Sequence, residues 1–475
     1  MKILNIIFSV LLVLIYSYFS YLLFDIGLLS GKYGIILFII LTIIILLIII
    51  GIIKGKKICK IISYIFYVIF LLIFIVGIYY LNTTIAFIDS FGKKDKTDYD
   101  NYYVVVLKNS RYLKLKDLNN KKIGMCKTLD SNVLKNIKIS FDSKEYEECE
   151  SLKEAFYEKK VDALILSDVD EFLLSNIDSL FEENVRVIHT IKIKKLTNDE
   201  EKETIDVSKT PFTVFISGID TYGAISKVSR SDVNIIATVN PISNEVLLTT
   251  IPRDYYVQLD GTTGYNGTTG YKDKLTHAGI YGIDKSIKTI ENLLDTKINY
   301  YVRVNFDSVV KLVDEIGGVN IYSDRNLKFC DIKQGYNYLD GKCALRFARE
   351  RHSYETGDRH RGENQEEVIR AIIEKVSKSN TILTKYNTIL TNLQNSFESN
   401  VSPKTIKDYI KMQIKDMPSW NVKNLNLNGY DSHNYTYSYK GSKLYVMEPD
   451  YNTVNKAKEI INGMLNKKTF SELGI

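Results

Sequence analysis

Apolar positions follow three different patterns along this 475-residue chain. At the start they run unbroken, over roughly residues 3–23, 33–53 and 61–81. Each run is about as long as a bilayer's hydrocarbon core requires, and none carries a charge in its middle. A cleaved signal peptide would need only one shorter run and a small-residue cleavage site, so the pattern predicts three membrane-spanning helices within 1–82. Over 102–193 the apolar residues come in short bursts. YYVVVLK, KKIGMC, VDALILS and VRVIHTIKI predict strands, and the segments around 131–137, 151–159 and 168–177 predict short helices between them.

Polar linkers, GKKDKTDYDN (92–101) and LTNDEEKETIDVSKTP (196–211), bound this small accessory α/β domain. Its DLNNKKIGMCKTLDS…SLKEAFYEKKVDALILSD arrangement resembles half of a solute-binding-protein fold, without a convergent polar site. That favours a structural or partner-docking module over a ligand binder.

From 211 to 470 the pattern is that of a larger α/β domain. FTVFISGID reads as a strand ending in Asp220, SDVNIIATVN as one opening at Asp232, and EVLLTTIPRD as one ending in Asp254. Helical periodicity follows in YGIDKSIKTIENLL, in FDSVVKLVDEIG (stopped by Gly317 and Gly318) and in the amphipathic ENQEEVIRAIIEKVSK. The tail, SKLYVMEPDYNTVNKAKEIINGML, predicts a last strand and helix. Polar groups gather at strand ends, where α/β sites form.

Charge adds direction. The connector KGKKICK carries Lys54, Lys56, Lys57 and Lys60, whereas the first connector has only Asp25 and Lys32. The positive-inside rule predicts a cytoplasmic amino terminus and KGKKICK loop, with both domains outside a cell membrane crossed several times. The net charge of +6 is modest and the lysines are spread. No basic helix or helix-turn-helix pattern stands out, so nucleic acid is not an expected partner. Cys126, Cys149, Cys330 and Cys343 would lie outside the membrane, where two bridges of open connectivity are possible. No CxxC, HxH or HExxH pattern suggests zinc.

Arginine usage is more telling. Only 12 of the 62 basic residues are arginine, yet Arg346, Arg349, Arg351, Arg359 and Arg361 fall within sixteen residues. A guanidinium fork grips phosphate bidentately, which an ammonium cannot do. ALRFARER alternates like a strand, with Leu345, Phe347, Arg349 and Arg351 on one face, so unpaired cations there call for an anionic ligand. Asp220 and Asp232, at neighbouring strand ends, offer hard oxygens suited to Mg²⁺. Metal and arginines together fit a pyrophosphate. As alternatives, Asp220 could cap its turn and Asp232 could pair with Arg230. His277 reads as a satisfied loop histidine, and Lys274 as a weaker phosphate contact.

At these residues the chain resembles the LytR–CpsA–Psr family over about 211–465. The motifs are GID (218–220), RSD (230–232), TIPRD (250–254), KLTHA (274–278), ENLLDTKINYYVRVNFDSVVKLVDEIGGV (291–319), ALRFARER (344–351) and GDRHRGENQ (357–365). The three spans and the accessory module look like the capsule-associated CpsA branch. The resemblance implies a three-layer α/β domain with a central mixed sheet. It implies a phosphotransferase moving a glycan from an undecaprenyl-pyrophosphate carrier onto peptidoglycan outside the membrane. Carried over by position, Asp220 and Asp232 would hold Mg²⁺ or Mn²⁺. Arg230, Arg349, Arg351, Arg361 and Gln365 would bind the pyrophosphate, and Arg253 would be needed for turnover. Asn364 stands where many members have arginine, and Arg359 competes with Arg361 for the phosphate role; Arg361 is the expected contact. Rival readings are a phosphatase or pyrophosphatase using water as acceptor, and a membrane-anchored regulator.

Overall fold

The computed structural model describes residues 2–29, 31–90, 99–127, 129, 131–194, 205–219, 228–262, 272–355, 357–378, 396–416 and 420–475. Helices α1 (Lys2–Ile26), α2 (Gly31–Lys54) and α3 (Lys57–Ser90) form on the three apolar runs. All three are long and apolar enough to cross a membrane. Aromatic and aliphatic side chains such as Tyr16, Ile48, Ile52 and Phe74 pack between them. Ile7, Ile39, Leu47, Ile69 and Leu72 project outward, as lipid-facing side chains do. The third helix runs nine residues past the expected 81.

The accessory domain is built on five strands, β1 (Tyr99–Leu107), β2 (Lys122–Cys126), β3 (Asp142–Tyr146), β4 (Ala163–Ser167) and β5 (Val185–Lys194), in the order β3-β2-β4-β1-β5. Strand β3 departs from the expectation, because its DSKEY is polar and is exposed on both faces; it is held at the sheet edge by its parallel pairing with β2. Helices α4 (Ser131–Lys135), α5 (Cys149–Tyr157), α6 (Asp168–Ile177) and α7 (Phe181–Asn184) complete the domain. Two apolar clusters, around Val104 and Ile165 and around Leu152 and Leu164, cover the two faces of the sheet. The fold brings Cys126 and Cys149 to an Sγ–Sγ distance of 3.5 Å, with Asp170 beside them. A separation of 23 residues gave no hint of that pairing.

The larger domain has a six-stranded mixed sheet. Its strands are β6 (Phe212–Ile219), β7 (Ser231–Asn240), β8 (Glu245–Thr250), β11 (Tyr300–Val304), β14 (Glu398–Ser399) and β15 (Asn421–Asn426), in the order β14-β11-β6-β7-β8-β15. Pairs β11–β6 and β8–β15 are parallel, and the others antiparallel. Short strands β9 (Tyr256–Gln258) and β10 (Lys272–Lys274) lead to α8 (Leu275–Ala278) and α9 (Ile283–Leu294). After β11 come α10 (Phe306–Glu315), the hairpin β12 (Val319–Ser323) and β13 (Gly335–Leu339), α11 (Gly341–Arg349) and α12 (Asp358–Lys378). The chain closes with α13 (Pro403–Asp416), β15, the hairpin β16 (Gly429–Asn434) and β17 (Leu444–Pro449), and α14 (Tyr451–Leu465).

The period-2 pattern of the central strands makes three layers. Phe215, Ile236 and Leu247 face α9 and α14 through Ile287, Ile290, Ile460 and Met464. Ile235, Ala237 and Leu248 face the other way, toward Ile369 of α12. Helix α10 ends where Gly317 and Gly318 take φ of 77° and 78°, a region costly for a side-chain-bearing residue. A disulfide joins Cys330 to Cys343, which ties the β12–β13 connection to the first turn of α11.

ALRFARER is a helix, not a strand. Asp340 caps α11 by accepting from the Cys343 N–H at 2.8 Å, and the buried positions Gly341, Ala344 and Leu345 follow helical spacing. Leu345 and Phe347 give the appearance of alternation because both are buried, although they lie on different sides of that helix. Arg349 is the helix's last residue and Arg351 lies beyond it. Similarly, β8 stops at Thr250, four residues short of Asp254. Pro252 lacks the N–H to continue a ladder, and the Tyr255 N–H closes a turn onto the Pro252 carbonyl.

Helix α13, also unexpected, lies against the membrane helices. Lys407 Nζ is 2.6 Å from Asp25 Oδ2, and Ile410 packs with Leu22, Ile26 and Leu81.

Candidate active site

The register brings the proposed motifs to one edge of the central sheet. Val304 stands opposite Gly218, Ile219 opposite Ser231, and Thr250 lies between Ile235 and Asn426. The carboxyl ends of the parallel pairs and the start of β7 therefore share this edge. RSD, TIPRD, KLTHA and the β11–α10 junction all open from it.

Asp232 and Arg253 form its centre. Arg253 Nη1 donates to Asp232 Oδ2 at 2.7 Å, and Thr276 Oγ1 donates to Asp232 Oδ1 at 2.9 Å. Both charged side chains are largely buried, at 19% and 13% exposure. Arg253 Nε also lies 3.4 Å from Asp254 Oδ2, while Lys274 Nζ donates to Asp254 Oδ1 at 2.9 Å. Burial would push the Asp254 carboxyl up, but Lys274, Arg253 and then Arg361 outweigh it and hold it below the ordinary carboxylate range. The backbone reinforces this geometry, since the Thr276 N–H donates to the Arg253 carbonyl at 2.8 Å. Gly279 is required nearby. A Cβ there would fall 2.6 Å from the Ser231 nitrogen, so only glycine lets the turn after α8 approach the RSD segment this closely.

Arg361 is 8% exposed in the first turn of α12. That helix begins five residues before the expected ENQEE, which carries the arginines onto it. The Arg359 side chain and Asp220 lie outside the described residues. Gln365 lies one helical turn after Arg361 and is half-buried. Arg349 stacks its guanidinium 4.2 Å over the ring of Phe306, the first residue after β11 and Asn305. Arg351 is exposed, its Nε 3.4 Å from His352 Nε2. Arg230 does not pair with Asp232. Its Nη2 donates to Asn176 of the accessory domain at 2.6 Å.

Two buried acidic groups, Glu366 and Asp273, escaped the sequence reading. Glu366, next to Gln365, is 1% exposed and accepts from Thr250 Oγ1 at 2.5 Å. Burial pushes its carboxyl up to about 7, against the opposing bond from Thr250. A charged residue inside an amphipathic helix reads as a solvated face, so no sequence signal marked it. His277 is held by Asp273 at 2.6 Å and is 3% exposed, a structural contact within the domain. Asp273 in turn accepts from the Ser438 backbone N–H at 2.9 Å.

The chemistry this edge offers is anion binding. Arg253, Lys274 and Arg361 surround two carboxylates, and Asp232 presents hard oxygens whose four lone-pair sites are not exhausted by two donors. Such a carboxylate is a hard ligand of the kind a divalent cation such as Mg²⁺ takes, and Asp232 is the one proposed ligand among the described residues.

Residues 185–457 match the LytR–CpsA–Psr family. The chain is 36% identical over 204 residues to the polyisoprenyl-teichoic acid–peptidoglycan teichoic acid transferase TagU of Enterococcus faecalis, covering 41% of this chain and 63% of that one. To the TagU of Bacillus cereus it is 32% identical over 225 residues, 46% of this chain and 70% of the relative. The crystal structure of B. subtilis TagV aligns with 55% of this chain and 99% of its own, at 27% identity and a TM-score of 0.44.

Proposed function

The chain belongs to the LytR–CpsA–Psr family, and we propose that it is a phosphotransferase moving a glycopolymer from an undecaprenyl-pyrophosphate carrier to peptidoglycan. The observation that carries this reading is the Asp232–Arg253–Asp254–Lys274 network with Arg361 beside it, at the edge where Arg349 also lies. A pyrophosphate diester bears two negative charges, which this array of fixed cations is suited to hold.

In the reaction, the acceptor hydroxyl oxygen bonds to the glycan-side phosphorus. The bond from that phosphorus to the bridging oxygen breaks, lipid monophosphate departs with the electron pair, and the hydroxyl proton passes to solvent. Arg253, oriented by Asp232 and Asp254, stabilises the charge that develops on the phosphoryl oxygens. Arg230, Arg349, Arg351 and Arg361 orient the pyrophosphate by forked hydrogen bonds that a lysine could not duplicate, and Gln365 adds an amide contact. Asp232, together with Asp220, would hold Mg²⁺ or Mn²⁺, which when bound supplies further neutralisation of phosphate charge.

The protein is proposed to sit in the cell membrane with its amino terminus inside and both domains outside. The Lys407–Asp25 contact supports this, because it sets the α1–α2 connector on the side of the larger domain and leaves the lysine-rich KGKKICK connector at the opposite end. The two TagU relatives are named for teichoic acid and the layout resembles the capsule-associated CpsA branch, so teichoic acid and capsular polysaccharide are both candidate cargoes.

The test is a product assay with lipid-linked donors of both kinds, with and without peptidoglycan. Covalent attachment of one polymer to peptidoglycan is the expected outcome. Release of free glycan phosphate irrespective of peptidoglycan would mean a hydrolase instead.

A further inference from the structure

Arg230 leaves its own domain. Its Nη2 donates at 2.6 Å to Oδ1 of Asn176, in the last turn of α6 of the accessory domain. The amide is oriented for this by its own helix. Asn176 Nδ2 donates to the Phe172 carbonyl at 2.7 Å, which turns Oδ1 outward as the acceptor. The helix is fixed in turn by a capping box in which Ser167 accepts from the Asp170 N–H and Asp170 accepts from the Ser167 N–H. The domains also meet near the start of α5, where Glu150 packs so closely on Gly441 that a Cβ there would overlap its carboxylate. Tyr439 completes the surroundings. Burial raises its hydroxyl's pKa, and the neighbouring Arg230 charge opposes the rise. Its ring meets His277 edge-on, 5.1 Å between centroids, one residue along from the Thr276 that holds Asp232.

We propose that Asn176 is a positioning residue for Arg230, so that the accessory domain forms one wall of the site for the donor pyrophosphate. The proposal rests on the reading of Arg230 as a pyrophosphate contact. Its physical logic lies in the choice of a neutral partner. A carboxylate at 176 would hold the guanidinium equally well but cancel its charge, whereas an amide restrains the side chain and leaves the full positive charge for the ligand. Restraint matters because an unheld arginine loses rotamer entropy when it closes on a phosphate. The accessory domain thereby acts on the affinity for donor and not on the chemistry.

Steady-state kinetics of the full-length protein in detergent test this, with a synthetic polyprenyl-pyrophosphate glycan as the varied donor and peptidoglycan saturating. For Asn176→Ala the expected result is a donor KM raised about tenfold, the scale of one hydrogen bond to a charged group. Its kcat should stay within about twofold of wild type and its Tm should not change, as for an exposed side chain away from the core. Arg230→Ala should raise KM at least as much, and Asn176→Ala added to Arg230→Ala should have no further effect. If Arg230→Ala is impaired but Asn176→Ala is silent, or if the two effects add in full, the positioning role is overturned while the donor site stands. If Arg230→Ala itself leaves donor KM unchanged, Arg230 is not a pyrophosphate contact and both readings fall.

Discussion

Arg253 Nη1 lies 2.7 Å from Asp232 Oδ2, a largely buried ion pair between residues 21 apart in sequence. Removing either partner takes from the other its nearest counter-charge. Asp232→Ala should therefore lower thermal stability by something on the order of 3 kcal/mol, as breaking a buried pair does. Arg253→Lys keeps the charge but loses the fork that reaches both Asp232 and Asp254. Turnover in the product assay should fall about tenfold to a hundredfold with a smaller change in melting temperature. Full activity in Arg253→Lys would remove this arginine from the catalytic account.

Glu366 gives the domain a pH signature. Its carboxyl is pushed up to about 7 in the folded state, above the ordinary value of 4.5. A raised acid pKa means the folded protein binds the proton more tightly than the unfolded chain does. Its contribution to stability is thus fully present below about pH 4.5 and is lost as pH rises toward 7. Glu366→Gln keeps a polar partner for Thr250 without the charge. It should raise stability at pH 8 by about 3 kcal/mol and at pH 5 by less than about 1 kcal/mol. Equal shifts at both pH values in thermal melts would contradict this.

Asp254 works in the opposite direction. Its carboxyl is held below the usual range by Lys274, Arg253 and Arg361 against the effect of burial. The stability it contributes is present above its unfolded pKa and disappears as pH falls through the folded value. Asp254→Asn should flatten the acid limb of a Tm-against-pH curve, and an unchanged limb would show that the network is not coupled to folding.

Metal dependence is predicted from the proposed ligands Asp232 and Asp220, both hard oxygen donors. Activity should be lost in EDTA and return with Mg²⁺ or Mn²⁺ but not Zn²⁺, which favours nitrogen and sulfur ligands. Undiminished turnover in EDTA would exclude a metal role for these aspartates.

The membrane helices and the central strands could be read directly from the chain. Lipid demands long apolar runs, and a sheet buried on both faces demands continuous ones such as FTVFISG. What escaped depends on contacts distant in sequence. ALRFARER looked like a strand because Leu345 and Phe347 are both buried, yet Asp340 at its start is a helix cap. Pairing of Arg230 with Asp232, the alternative that their nearness in sequence offers, does not form: the fold sends one to Asn176 and the other to Arg253. Helix α13 was invisible as a docking element because its partner, Asp25, is 382 residues away. The arginine cluster was conspicuous by its rarity among lysines. Its division between the end of α11, where Arg349 covers Phe306, and the start of α12, where Arg361 is buried, needed the structure.

These arginines are proposed to clamp a lipid pyrophosphate, and the decisive measurement is the affinity of Arg349→Lys and Arg351→Lys for the donor beside their melting temperatures. Lysine preserves charge and loses the fork, so each variant should bind about tenfold to a hundredfold more weakly. Arg351→Lys, on an exposed side chain, should melt within about 0.5 kcal/mol of wild type. Arg349→Lys also loosens the stack on Phe306, which adds at most about 1 kcal/mol at such a site. Wild-type donor affinity in both variants would mean that the cluster serves the surface and that the proposed site has been misassigned.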